Sequence, residues 1–243
     1  MSFLLIPIAP LSRTKSRLRD CFSKQQLKEL TIAMFKDLAF KLEKVDCFKD
    51  IIIYCNSSEI LNLASEYGLI SIKENLTKPR KSFDDVINDL NKIAIEKYNA
   101  KRTIFTFLDI ILISVKNFYE IEAIVKENQL VVCPAIHSAG ISVLGRNPPD
   151  IIPTYFSKPD FPSLVALLNK AHEKKLKLAI YDSFRAGFDI DIKQDLALAL
   201  EYLKVFNLTN TETYKFLKQN LNFIIRKRNI RNNRDFELKK LQI

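Results

Sequence analysis

The chain is 243 residues long, 47% hydrophobic and 27% charged, which suits one α/β domain with a sizeable core. No stretch approaches 18 consecutive apolar residues, so a membrane-spanning helix is not expected, and the four scattered cysteines and two histidines lack the spacing of a zinc site or disulfide framework. The net charge is +10, but nine Lys/Arg against two acids fall in residues 214–243, so the basic balance is mainly a property of the tail.

The first residues lack a basic leader, so they read as a strand and not as a signal peptide; free thiols fit a reducing, cytoplasmic setting. Residues 3–8 are an apolar run punctuated by prolines, predicted as a buried parallel strand. The spacing of Leu27, Leu30, Ile32, Met34, Phe35 and Leu38 predicts a helix over 24–42 with Ser23 as its N-cap. A second strand follows at 50–54, a short helix at 59–67 closed by Gly68, and a third strand at 69–72. Phe83, Val86, Ile87, Leu90, Ile93, Ala94 and Tyr98 mark an amphipathic helix over 83–98, and 103–108 is the fourth strand. Further on, 130–133 and 141–145 read as strands, 163–174 as a helix, 177–182 as a strand and 193–203 as a helix.

This alternation predicts an α/β fold, a mostly parallel mixed sheet flanked by helices, in a domain spanning 1–208. Residues 209–243 are predicted as a basic helical C-terminal extension. Its thin apolar stripe, Phe216, Leu217, Leu221, Ile224 and Ile225, suggests docking on the domain or on a second subunit. Nucleic-acid binding is disfavoured there because no aromatic stacking platform accompanies the charges.

Ligands of such sheets bind beyond the carboxyl ends of the strands. Asp109 follows the apolar run 103–108, and Asp189 and Asp191 stand in Phe188-Asp-Ile-Asp-Ile192. On a regular strand these two share a face while Ile190 points into the core. The loop leaving the first strand carries Lys15 and Arg17. The four glycines do not have the spacing of a P-loop or of G-x-G-x-x-G, so a glycine-rich phosphate cradle is excluded. Carboxylates at strand ends hold Mg²⁺, and Lys and Arg neutralise phosphate charge; together they point to nucleotidyl transfer. The same residues have plainer readings. Asp109 and Asp189 also fit turns, Asp191 fits a cap for the helix from 193, and Lys15 and Arg17 fit solvated charges. His137 and His172 have no partners at ligand spacing and are assigned to no metal.

Several ordered segments resemble the 2-phospho-L-lactate guanylyltransferases of coenzyme F420 biosynthesis. Leu5-Ile-Pro-Ile-Ala-Pro-Leu-Ser-Arg-Thr-Lys-Ser-Arg-Leu18 is similar to the family's N-terminal phosphate-binding loop. Phe83-Asp-Asp-Val-Ile-Asn-Asp-Leu90 resembles its helix after the third strand, and Phe107-Leu-Asp-Ile-Ile-Leu-Ile113 takes the place of its Asp-Leu-Pro-Leu-Leu metal motif. Arg146-Asn-Pro-Pro-Asp-Ile-Ile-Pro153 resembles the turn between its halves, and Tyr181 to Leu196 is the nearest match. The resemblance implies a nucleotide-diphospho-sugar-transferase-like fold, GTP as donor, Mg²⁺, and a small phosphorylated carboxylic acid as acceptor. That acid is 2-phospho-L-lactate or, as in related members, phosphoenolpyruvate or 3-phosphoglycerate. It implies Asp109, Asp189 and Asp191 as metal ligands, Lys15 and Arg17 as triphosphate contacts, with Lys15, Arg17 and Asp109 the catalytic set, and Asp84 near the guanine or ribose. A homodimer is expected.

The acceptor half departs from the family pattern. His137-Ser-Ala-Gly-Ile-Ser142 lacks the family's Gly-Thr-Asn. In Tyr155-Phe-Ser-Lys-Pro-Asp160 a serine, Ser157, replaces the glycine after the aromatic residue. Ser138, Ser142, Ser157 and Lys158 are the candidate replacement contacts for the acceptor. Two readings follow. One is a Mg²⁺-dependent guanylyltransferase. The other is a divergent nucleotide-binding or interaction protein on the same fold, with acceptor chemistry lost or changed.

Overall fold

The computed structural model describes residues 1–221, 223–228 and 236–240. The chain divides into two compact units, one of residues 1–10 and 38–189 and the other of residues 11–37 and 190–243. The boundary expected at 208/209 is therefore not where the chain divides. The loop after the first strand and the front of the first helix group with everything from Ile190 onward.

The first unit is built on a seven-stranded sheet. Its strands are β1 (Ser2–Ile8), β2 (Asp50–Cys55), β3 (Ile70–Lys73), β4 (Arg102–Thr106), β5 (Leu130–Pro134), β6 (Ile141–Arg146) and β7 (Leu178–Ile180), in the order β3-β2-β1-β4-β6-β5-β7. All pairings are parallel except those of β6, which runs antiparallel to both β4 and β5. This is the expected mostly parallel mixed sheet. Every residue of β1 is buried, as a strand covered on both faces must be, which is why its sequence is a continuous apolar run.

Helices cover the sheet. α1 (Lys24–Leu42) spans the boundary between the units. α2 (Ser58–Glu66) begins at Ser57, whose hydroxyl accepts from the amide of Ile60. α3 (Phe83–Tyr98) begins at a Ser82–Asp85 capping box and ends at Asn99 in the left-handed region. α4 (Val115–Glu127) is additional to the predicted elements. It opens with a Ser114–Asn117 capping box and buries Phe118, Ile121 and Val125. α5 (Ser163–Glu173) and the single turn α6 (Phe184–Gly187) complete the unit. Phe3, Leu5, Phe105, Leu144, Ile87 and Leu90 centre the core between the sheet and α3. On the other face Gly145 of β6 lets α4 approach, since a Cβ there would meet Val125 Cγ2 at 2.3 Å.

The second unit holds a 3₁₀ turn at Ser16–Leu18, the front of α1, α7 (Lys193–Val205) and α8 (Glu212–Asn220), followed by strands β8 (Phe223–Lys227) and β9 (Phe236–Lys240). The tail expected to be helical contains α8, and beyond it β8 and β9 pair antiparallel. An apolar-then-basic run such as Phe-Ile-Ile-Arg-Lys satisfies a β ribbon as well as a helix, and its aromatic and β-branched residues favour the strand. Residues 229–235, part of the basic run, lie outside the described residues. α8 is tied into the unit. The Asp37 carboxylate accepts the amides of Glu212 and Thr213, both at 2.8 Å, Phe216 packs edge-on against Phe22, and Leu217 is fully buried. No helix among the described residues is long and apolar enough to cross a membrane, and no disulfide joins the four cysteines.

Candidate functional site

In the first unit the carboxyl ends of β1, β2, β3, β4, β5 and β7 lie along one edge of the sheet. β1 is flanked by β2 on one side and β4 on the other, so the connections diverge there. This is the switch point at which open α/β sheets bind ligands. Asp109 lies in the turn after β4, three residues beyond the strand end and half-buried. The β5–β6 connection brings Ser138 to the same edge, and Asp189 ends the segment that follows β7.

Three loops at this edge are bound to one another. Arg185 of α6 donates through Nε to the carbonyl of Leu112, 2.7 Å away, so the segment leading to Asp189 is fastened to the loop that carries Asp109. Asn117 donates to the Tyr181 hydroxyl at 2.8 Å and to Ser183 Oγ at 3.2 Å, and the Tyr181 hydroxyl donates to Glu120. The amide of Ile136 donates to the Gly187 carbonyl at 2.9 Å, and a Cβ on Gly187 would meet the Pro134 carbonyl at 2.7 Å. Burial lowers the Arg185 pKa and raises that of Tyr181, whose bond to Glu120 adds to the rise.

A second connection links the start of α3 to the loop before α5. The Asp84 carboxylate accepts the amides of Phe156 and Ser157, each at 2.9 Å. In return Ser157 Oγ accepts the amides of Phe83 and Asp84 at 3.1 and 3.3 Å. The hydroxyl thereby satisfies two amides that a helix start leaves open. Phe83, Phe107 and Phe156 pack around this latch with centroids 5.4–5.8 Å apart, and Phe83 remains 41% exposed. Asp84 is therefore placed as the anchor of the loop. Lys158 is next to the latch and exposed.

In the second unit Lys15, Arg17 and Asp191 meet. Arg17 Nη1 lies 2.7 Å from Asp191 Oδ2, and Lys15 Nζ lies 3.5 Å from Oδ1. Lys15 also donates to the carbonyl of Ile190. Lys15 is in the left-handed region at φ 48°, an uncommon state for a side chain with a Cβ and one found at functional loops. Its ammonium is largely covered, with 10% side-chain exposure against 70% for Arg17 and 45% for Asp191.

Asp191 does not cap α7. The N-cap position is Ile192, and Asp195 in the first turn, 3% exposed, reaches back so that its carboxylate accepts the amides of Asp191 and Ile192, both at 2.8 Å. Asp189 and Asp191 lie outside any strand, so the regular-strand geometry expected of the pair is absent, while Ile190 between them is fully buried and each aspartate is half-buried.

Two serines have local duties. Ser142 is 2% exposed and donates to the Cys133 carbonyl at 3.0 Å. Its hydroxyl joins β5 to β6 and faces no open space, which removes it from the acceptor contacts. Ser138 Oγ accepts the amide of Gly140 at 3.2 Å in the exposed turn. His137 packs edge-on against Phe188 at 5.4 Å. Asp195, Arg185 and Asn117 were not among the residues singled out by the sequence. Their partners include backbone atoms and polar side chains distant in sequence, and the third-residue capping positions of Asn117 and Asp195 leave the readable signal.

Among the described residues no three His, Cys, Asp or Glu side chains form a ready metal cage. Mg²⁺ characteristically takes one or two carboxylates and completes its shell with water and substrate phosphates. In the second unit the carboxylate of Asp191 offers hard oxygen donors of that kind, with the cationic groups of Lys15 and Arg17 beside it.

A family model described as guanylyl transferase CofC like matches residues 2–237. The 2-phospho-L-lactate guanylyltransferase of Methanocaldococcus jannaschii is 29% identical over 194 residues, covering 79% of this chain and 80% of that protein. Among solved structures, a Desulfovibrio desulfuricans G20 protein assigned to the nucleotide-diphospho-sugar transferases superposes with a TM-score of 0.73 at 14% identity, over 90% of this chain and 94% of that one. A CMP:2-keto-3-deoxy-manno-octonic acid synthetase complexed with CTP superposes with a TM-score of 0.54 at 13% identity, over 86% and 98%. At these identities the structures speak for the fold, which is nucleotide-diphospho-sugar-transferase-like.

Proposed function

The chain belongs to the guanylyl transferase CofC-like family, and from that premise we propose that it transfers GMP from GTP to a small phosphorylated carboxylic acid. The acceptor is 2-phospho-L-lactate, or phosphoenolpyruvate or 3-phosphoglycerate, and the product serves coenzyme F420 biosynthesis. A phosphate oxygen of the acceptor attacks the α-phosphorus of GTP. The bond from that phosphorus to the β-phosphate oxygen breaks, and pyrophosphate leaves with the electron pair. The observation that carries this reading is the meeting of Lys15, Arg17 and Asp191, two cations and a carboxylate supplied by two segments far apart in the sequence.

In this reading Lys15 and Arg17 bind the triphosphate, Lys15 as a shielded point charge and Arg17 as a mobile fork. Asp109, Asp189 and Asp191 would hold Mg²⁺, which supplies charge neutralisation at the phosphates. Asp84 and Ser157 set the loop that presents Lys158 to the acceptor's anionic groups. A homodimer belongs to the same reading and is checked by sedimentation.

A second reading, a nucleotide-binding protein without acceptor chemistry, is favoured by one observation. The amides of Phe156 and Ser157 already donate to Asp84, so this loop offers fewer free donors to an acceptor. Pyrophosphate release with GTP and each of the three phospho-acids separates the two. Release with one or more acceptors, lost in Asp109→Asn with the fold retained, supports the transferase. GTP binding without turnover on any acceptor supports the alternative.

A further inference from the structure

The backbone that carries the Asp191 carboxylate is held in place from behind. Its own amide and that of Ile192 donate to buried Asp195, both at 2.8 Å. The preceding Ile190 is fully buried, and its carbonyl accepts from Lys15. The backbone on both sides of Asp191 is therefore held, so the carboxylate can move only by rotation of its own short side chain. Arg17 stands there, 2.7 Å away on a side chain that is 70% exposed. Lys15, by contrast, is covered and bound to the backbone as well. Of the two cations beside Asp191, only Arg17 is free to swing.

We propose that Arg17 is the resident countercation of Asp191, that a divalent cation and Arg17 compete for this carboxylate, and that displacement frees the guanidinium for the triphosphate. The inference rests on the reading of Asp191 as a cation ligand. It adds that the nucleotide-free protein guards this ligand with its own arginine. A guanidinium and a divalent ion cannot share the same carboxylate oxygen at bonding distance without strong repulsion. A carboxylate left unpaired on a fixed backbone would repel the triphosphate, so the arginine also keeps the empty loop electrostatically acceptable to its ligand. The exchange costs little, because a half-exposed ion pair contributes little net stability.

The test is a titration of the nucleotide-free protein with Mn²⁺ alone, followed by the electron paramagnetic resonance signal of the unbound ion. Wild type, Arg17→Gln and Asp191→Asn are compared at low ionic strength. Arg17→Gln is expected to bind Mn²⁺ about two- to fivefold more tightly than wild type, the range set by one exposed ion pair, and Asp191→Asn to bind it more weakly than both. In the same variants GTP with Mn²⁺ should bind more weakly to Arg17→Gln, giving opposite signs for the metal and the nucleotide. Equal or weaker Mn²⁺ binding by Arg17→Gln, or no Mn²⁺ binding by either protein, overturns the exchange. If Asp191→Asn also binds Mn²⁺ with GTP as wild type does, the assignment of Asp191 as a ligand falls too. If it does not, only the exchange is lost.

Discussion

Lys15 and Arg17 occur two residues apart and carry the same charge, yet their surroundings separate them. Lys15 is covered, bonded to the Ile190 carbonyl and near Asp191, whereas Arg17 projects to solvent. Lys15→Ala should therefore weaken GTP binding by roughly 1.5–3 kcal/mol, the value of a charge-assisted contact, with Arg17→Ala toward the lower end because water screens it. Calorimetric titration with GTP checks both, and unchanged affinity in both variants would leave the pair as solvated charge. A buried thiol gives a pH-dependent counterpart. Cys55 is fully buried in β2, and desolvation raises its pKa from 9.0 to about 11. Its contribution to stability is full below pH 9. It is lost as pH rises toward 11, because the unfolded chain ionises the thiol first and is favoured by doing so. Urea unfolding at pH 8.5 and 10.5 should show a smaller alkaline loss in Cys55→Ala than in wild type.

Among the elements, the strands were legible because a sheet covered on both faces demands unbroken apolar runs, as in β1 and β2. The reversed direction of β6 leaves no mark in its composition, and α4 mixes its apolar face with buried Asn117 and Glu122, which blurs the helical period. Of the candidate site, the residue types were readable: Asp109, Asp189, Asp191, Lys15 and Arg17. The groups that position them were not, since Arg185 and Asn117 act through long-range hydrogen bonds that no spacing encodes. Gly145 shows the same limit. Its place in the sequence suggests neither turn nor loop, and the close approach of Val125 on α4, with Val131 of β5 beside it, explains it. Gly145→Ala should destabilise the protein by about 1–3 kcal/mol through overpacking. Denaturant unfolding of Gly145→Ala beside Val125→Ala/Gly145→Ala checks this, because trimming Val125 removes the clash and should make the two losses less than additive.

At the scale of the whole molecule, the tail is not the detachable extension that its charge suggests. The unit that contains Lys15 and Arg17 also contains everything from Ile190 onward, and α8 contributes buried Leu217, the Phe22–Phe216 contact and the α8 amides held by Asp37. Gln26 Nε2 adds a bond to Asn220 Oδ1 at 2.9 Å. Cutting the chain after Leu208 removes Leu217 and Phe216 from the core of that unit, exposes Phe22, which is 3% exposed in the intact protein, and leaves the Asp37 carboxylate without its helix. The two aromatic and aliphatic side chains alone represent several kcal/mol of lost burial, a large share of the stability of any unit this size. Truncation after Leu208 should therefore loosen the loop that carries Lys15 and Arg17 and abolish GTP binding. Truncation after Leu221 keeps α8, discards only the basic ribbon and should preserve binding. Hydrogen exchange resolved along the chain reads the difference directly. Residues 11–37 should lose protection in the shorter protein and retain it in the longer, while β1, β2 and β4 stay protected in both. Equal protection of residues 11–37 in the two truncations would show that the tail is an appendage after all.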